Sequence, residues 1–383
     1  MVSLSHINFI LLISLTSVIS KDSLEIHVLD VGQADSQLIV FPSGYSILID
    51  AGETSTGSMN CKKIAERIKS ILNTTRVDVG VITHLHQDHV GVPFKSGFWY
   101  LLESSGINFG KIIDRDSGVV KSGVTDCSTE DDIEWHTVGS LSSTAINWIC
   151  YATQQTLITK IQPNRQLATS CSNEINPPDK DTTIEIVVVN ANGVLYKNVP
   201  LNGDHHTESS PPSENDYSIA LRIQHGDFVY STAGDLDGEY STGYGYVYHD
   251  IETPYKDNVG QVDVYHANHH GSEHSNNEEW VKTLNPTVSL ISCGANNQYG
   301  HPSLNAMNNM NTVSQNIFLT QDCNPTVTDQ FVGKTVIVND EIVVKYKNGD
   351  ESFIVTDSKD SFESKFEVIK NKKQRQNSIC SLL

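Results

Sequence analysis

The chain has 383 residues, 19% of them charged, and a formal net charge of -20. That length favours one large α/β core with insertions over two full domains, and that charge argues against a protein that grips nucleic acid over a broad basic face. A local cationic site remains open, because bound divalent metals add charge that a residue count misses. In chain order, residues 7–18 form an apolar stretch of twelve, short of the ~20 residues that span a bilayer. Followed by Val18-Ile19-Ser20, it reads as a secretory signal over residues 1–20. The expectation is a mature start near Lys21 and an extracellular protein free of the membrane after cleavage, with an uncleaved anchor as the alternative. Seven cysteines, none in C-x-x-C spacing, then meet an oxidising compartment. Some should pair there, and the odd count leaves at least one thiol free or intermolecular. Asn73-Thr74-Thr75 is a glycosylation sequon suited to a surface position.

Strand-like runs at residues 24–31, 36–41 and 45–50, separated by GQAD and PSG turn signals, predict an antiparallel meander. Residues 59–72 place Ile64, Ala65, Ile68, Ile71 and Leu72 on one face of an amphipathic helix. A buried strand follows at 77–83. Residues 115–182 are polar with little periodicity and read as an insertion over the site, stapled by Cys127, Cys150 or Cys171. Strand signals resume at 183–189, 217–224, 228–232, 262–266 and 288–292, with a helical pattern at 278–284. Two of the later runs lie at 334–338 and 342–346, and a C-terminal extension with a basic tail covers 351–383. Both halves repeat the order strands, helix, strand. Packed sheet on sheet with helices outside, they predict an α/β fold of four layers, an αβ/βα sandwich over residues 21–350.

The densest chemistry is THLHQDH, residues 83–89. His84 and His86, at i and i+2 on a strand end, point the same way; Asp88 and His89 follow after a turn, so each pair can face a separate metal. Imidazole with carboxylate suits zinc, manganese or iron rather than calcium. A polar turn that merely caps the strand is the bland reading, and three histidines with an aspartate in seven positions outweigh it.

THLHQDHVG resembles the metal-binding motif of the metallo-β-lactamase superfamily. HVLDVGQADSQLI, ILIDAG, NDYSIALRI, STAGDLDG, ANHHGSEHS and CGANNQYGHPS, in that order, resemble the extracellular hydrolase domain of ComEC-type competence proteins. They are also similar to phosphorylcholine esterases of cell-surface teichoic acid. The resemblance spans residues 24–310 and implies the metallo-β-lactamase fold and two divalent metal ions. It makes His84 and His86 ligands of one metal, Asp88 and His89 ligands of the other, Asp235 the bridging carboxylate and His301 the late histidine that completes the second metal. Asp50 supports the site from behind. Asp88, His269 and His270 count as the catalytic groups, the two histidines approaching the substrate to protonate a leaving group.

The superfamily usually supplies one more histidine from the strand before the bridging aspartate. Here that strand ends in Asn190-Ala191-Asn192-Gly193. His205, His206 or a first metal completed by water remain the alternatives. The loop with Asp30, Gln33 and Asp35 is either a plain turn or the rim of the metal site. Tyr240, Tyr244, Tyr246 and Tyr248 could stack on a base or choline, or form a packed loop; His27 and His225 read as structural. Two metals acidify a shared water from about 15.7 toward ~7 and hold phosphoryl or carbonyl oxygens as charge builds. The expected function is a secreted dinuclear metal-dependent phosphodiesterase acting on nucleic acid or on phosphodiester-bearing surface molecules. A hydrolase of lactones, β-lactams or other carbonyl substrates is the alternative, and a non-catalytic binding protein a third.

Overall fold

The computed structural model describes residues 22–375 apart from 55–56, 58, 137–141, 155–162, 170–171, 173, 189–211, 244 and 374. The signal segment, Cys171, the 190–193 strand end, His205, His206, Tyr244 and Cys380 therefore lie outside the described residues. Among those described, the first sheet has nine strands. In spatial order they are Glu363–Glu367, Ser352–Asp357, Ile342–Tyr346, Leu24–Val28, Gln37–Val40, Ser46–Ile49, Arg76–Ile82, Asn108–Asp114 and Arg165–Leu167. The second has seven, in the order Thr335–Ile337, Asn316–Leu319, Val288–Ile291, Val264–His266, Phe228–Thr232, Ala220–His225 and Thr182–Val188. The meander of the first three strands is antiparallel, as its turn signals require. From Ser46–Ile49 outward the first sheet runs parallel, and so does the second from Phe228–Thr232 outward.

Both faces of each sheet are covered, which is why so many strands are apolar at consecutive positions. Ile47, Ile49, Val79 and Val81 turn toward the second sheet and pack with Leu221, Ile223, Val264 and Leu290. Leu48, Val77 and Ile82 turn the other way, onto a helix layer that includes Ile64, Ile68, Trp99 and Trp148. Tyr255, Trp280, Val281 and Met307 cover the outer face of the second sheet. The result is a four-layer αβ/βα sandwich. The helix Met59–Leu72 occupies the predicted positions and buries Cys61, Ile64, Ala65 and Ile68 along one stripe.

Two stretches contribute more to these layers than their patterning suggests. Residues 115–182 contain the helix Ser143–Gln154, whose Trp148 is fully buried and donates its indole N–H to Asp114, and the strand Arg165–Leu167, which closes the first sheet. The helix escapes a periodicity search because it is apolar on several faces. Residues 351–367 form two antiparallel strands that complete the opposite edge of that sheet. Disulfides join Cys127 to Cys150 and Cys293 to Cys323. Cys61 is a buried free thiol, and burial pushes it up to about 12, so it is a packing residue and a poor nucleophile. Asn73 of the sequon is exposed on the turn that follows the first helix. Among the described residues no helix is long and apolar enough to cross a membrane.

Candidate metal centre

Ligands of open α/β sheets gather beyond the carboxyl ends of the strands, and here both sheets deliver their polar residues to one such edge. Asp50 follows Ser46–Ile49, the 83–89 turn follows Arg76–Ile82, Asp235 follows Phe228–Thr232, and His269 and His270 follow Val264–His266. The approach is close: a Cβ on Gly234 would fall 2.5 Å from Thr83 Oγ1, and Gly234 itself has φ +52°. A glycine is therefore required beside Asp235.

Asp235 lies at the middle of the cluster, 2% exposed. Its Oδ1 is 2.9 Å from His89 Nε2 and 3.7 Å from His270 Nε2, while its Oδ2 is 3.9 Å from His84 Nε2 and 3.6 Å from His269 Nε2. Asp88 Oδ2 stands 3.5 Å from His270 Nε2. Ligand atoms of Asp88, His89, Asp235 and His270 all lie within 4.8 Å of one another. Bonds of about 2.0–2.1 Å at tetrahedral angles put ligand atoms about 3.3 Å apart, so these spacings fit a divalent ion. His84 Nε2, which faces Oδ2, also comes within 3.1 Å of His86 Nδ1; the strand ends at Ile82, so both histidines sit in the bend beyond it rather than on the strand end that the i, i+2 spacing predicts.

Buried polar atoms normally find hydrogen-bond partners. His89 Nε2, His270 Nε2 and Asp235 Oδ1 are buried and have none among the described residues. The 2.9 Å contact of His89 with Asp235 lacks hydrogen-bond geometry, which leaves both atoms aimed at shared space. The opposite ring nitrogens are fully engaged. His89 Nδ1 donates to Asp50 Oδ2 at 2.8 Å and His270 Nδ1 donates to the Ser292 carbonyl at 2.9 Å. Such bonds fix the tautomer that leaves Nε2 bare for a metal. Asp50 is fully buried, with φ 58°, and also accepts from the Thr83 amide at 2.8 Å and the Thr83 hydroxyl at 2.6 Å. Asp50→Asn should lower metal affinity 10–100-fold while leaving the ligands in place; competition against a chromogenic chelator reads that ratio.

Charge supports the same arrangement. Burial and then His89 push His84 well below the usual imidazole range, leaving a neutral nitrogen. Burial works to raise the Asp235 carboxyl, but His89, His269 and His270 hold it well below the usual carboxylate range. Burial raises Asp50 to about 6 against the pull of His89. His269 is lifted to about 9, against burial, by Asp235 and Asp237.

His269 and His270 both adopt left-handed backbone, φ 51° and 53°, ahead of Gly271 at φ 79°. This unusual run turns the neighbouring rings apart. His270 points inward, its side chain 2% exposed, and joins the four-group cluster; His269 keeps 19% exposure, with Nδ1 3.5 Å from Asp237 Oδ1. His301, expected from the resemblance as the ligand, instead receives a hydrogen bond on Nδ1 from Gln33 Nε2 at 3.3 Å and lies outside the four-group cluster. Within the loop of Asp30, Gln33 and Asp35, Gln33 reaches the site and also accepts from the Gly294 amide at 3.1 Å; Asp35 is buried, its amide donating to the Asp88 carbonyl at 2.9 Å, and Asp30 accepts from Gln321. His27 pairs with Glu341 and His225 with Thr182, both as structural histidines.

Three acids that support the site escape sequence reasoning. Asp237 orients His269. Glu214 accepts from the Leu85 amide at 2.9 Å, inside the histidine turn, and is held by Arg115, which lies over Tyr217. Glu252 is fully buried and accepts from the Asn276 amide at 2.6 Å, the Asn277 amide at 2.7 Å and Asn268 Nδ2 at 2.7 Å, clamping both ends of the loop that carries His269 and His270. Spacing could have pointed to Asp237, two residues after Asp235; Glu214 and Glu252 carry no local signal. Glu252→Gln would set an amide N–H against those donors. The expected loss is about 2 kcal/mol or more of stability, seen as a lower midpoint in denaturant unfolding.

A four-layer αβ/βα sandwich with an H-x-H-x-D-H turn at the shared strand edge is the metallo-β-lactamase fold. The chain is 34% identical over 92 residues to ComE operon protein 3 of Bacillus subtilis (strain 168), a match covering 24% of this chain and 11% of that protein. The chain therefore spans only about a tenth of that relative's length. Among solved structures it resembles CmlA, a diiron beta-hydroxylase from Streptomyces venezuelae, with 14% identity over 82% of this chain and 52% of that one and a TM-score of 0.36. It also resembles a diphosphatase from the PhnP family, with 10% identity over 85% and 97% of the two chains and a TM-score of 0.36. No family model matches the sequence.

Proposed function

We propose that the protein is a secreted, dinuclear metal-dependent phosphodiesterase acting on nucleic acid or on phosphodiester-bearing surface molecules. The observation that carries this reading is Asp235, whose Oδ1 faces His89 and His270 while its Oδ2 faces His84, with His86 3.1 Å from that ring, and the more exposed His269. Asp88, His89, His270 and Asp235 Oδ1 would hold one ion. His84, His86 and Asp235 Oδ2 would hold the other, with solvent or a residue outside the described set completing it. Zinc is the first candidate, with manganese or iron also suited to these donors. When bound, such ions acidify water and stabilise charge that builds on phosphoryl oxygens.

The chain supplies the rest. Asp50 and the Ser292 carbonyl hold the ligand imidazoles in one tautomer. Asp237 orients His269, whose Nε2 edge faces the centre from the more exposed side and is placed to give a proton to the departing oxygen. Secretion is supported by the apolar segment at 7–18 and is consistent with two disulfides. Purified protein loaded with zinc or manganese tests the bond class against bis-p-nitrophenyl phosphate, nitrocefin and a lactone. Turnover of the phosphodiester at least tenfold above the other two is expected; a preference for nitrocefin or the lactone overturns the reading.

A further inference from the structure

Six large hydrophobic side chains are exposed among the described residues, and two of them, Tyr299 (63% exposed) and Tyr240 (65%), stand on histidines near the candidate metal centre. Tyr299 stacks on His301, with ring centroids 5.7 Å apart and planes at 28°. His301 in turn lies edge-to-face with His269 at 5.4 Å and stacks with His270 at 6.3 Å. Tyr240 meets His249 at 5.8 Å, edge to face. His249 is held by Asp216 at 2.6 Å, and the adjacent Asn215 approaches His269 at 3.4 Å. The contacts therefore lead from Tyr299 through His301 to His269, and from Tyr240 through His249 and residues 215–216 to the same histidine.

Packing does not account for these two rings. Phe94, also exposed, has Trp99 and Tyr151 beside it and belongs to the first helix layer. Tyr240 and Tyr299 each rest on a single histidine and leave most of their surface to solvent; neither hydroxyl makes a hydrogen bond among the described residues. An aromatic ring so placed has a free π-face, and stacking on it binds any flat ring without regard to its sequence.

We propose that Tyr299 and Tyr240 are stacking platforms for the nucleobases that flank the scissile phosphodiester of a single-stranded nucleic acid. This rests on the phosphodiesterase reading. A quaternary ammonium head fits less well, because such cations are recognised by several rings converging on one point, and among the described residues each tyrosine meets only its histidine. The charge of -20 gives the choice a reason: a chain that repels polyanions at long range must hold a strand by short-range contacts, and stacking on neutral rings is unaffected by that repulsion.

The test compares a fluorescein-labelled oligothymidylate with an abasic strand of the same length. Both have phosphorothioate linkages for anisotropy titration of zinc-loaded protein and ordinary linkages for cleavage. The wild type should bind the base-bearing strand about tenfold or more tightly than the abasic one. Tyr299→Ala and Tyr240→Ala should each cut that ratio severalfold with unchanged melting temperature, and Tyr299→Phe should keep it. Equal binding of the two strands by the wild type, or a ratio untouched by both alanine variants, overturns the platforms even if cleavage proceeds. A tyrosine-dependent binding preference without cleavage of any phosphodiester leaves the platforms standing and removes the phosphodiesterase reading.

Discussion

Asp235→Ala should empty the centre: bound zinc falls from two ions per chain to less than one, and phosphodiester turnover drops on the order of 10³-fold or more. Each carboxylate oxygen faces a separate pair of imidazoles, so one substitution removes a donor from both positions. It also removes the charge that His89, His269 and His270 hold in the ionised state. Inductively coupled plasma analysis of dialysed protein reads the first effect and bis-p-nitrophenyl phosphate the second. Asp235→Asn keeps the shape and should fail almost as badly, since a neutral amide is a poor ligand for zinc. Full metal content in either variant would mean that Asp235 bridges nothing.

The second large effect separates three histidines. His270→Ala should lose one ion together with activity, because the bare Nε2 that faces Asp88 and Asp235 disappears. His269→Ala should keep both ions and lose about 10²- to 10⁴-fold in turnover, the range for a general acid. That loss should shrink for p-nitrophenolate, which scarcely needs a proton. His301→Ala should keep both ions as well, with the larger change in KM, because its ring carries Tyr299 and its Nδ1 is engaged by Gln33. An empty His301→Ala beside a fully loaded His270→Ala would restore the assignment drawn from the motif alone.

Much of the architecture was legible because its signals are local. The 59–72 helix shows its stripe in four buried positions, and the first three strands announce their turns. The histidine turn could be read for the same reason, since three histidines and an aspartate crowd seven positions, although His84 and His86 lie in the bend beyond Ile82 and not on a strand end. The arrangement of the His269, His270 and His301 rings was not legible. It depends on two successive left-handed residues and on Ser292 and Gln33, which are distant in sequence from the rings they orient. Glu214 and Glu252 were hidden likewise: each stabilises a loop sixteen or more residues away, largely by accepting backbone N–H groups, and such a role leaves no spacing to find. The helix 143–154 was missed because burial on several sides erases the polar face by which amphipathic helices are recognised.

Anomalous diffraction at the zinc edge from crystals of zinc-loaded protein addresses the central claim most directly. Two peaks about 3.5–4 Å apart are expected, one between His84, His86 and Asp235 Oδ2, the other among Asp88, His89, His270 and Asp235 Oδ1. No peak at Asp235 in crystals grown with excess zinc, or a single peak bound by only one of its oxygens, would contradict the dinuclear centre.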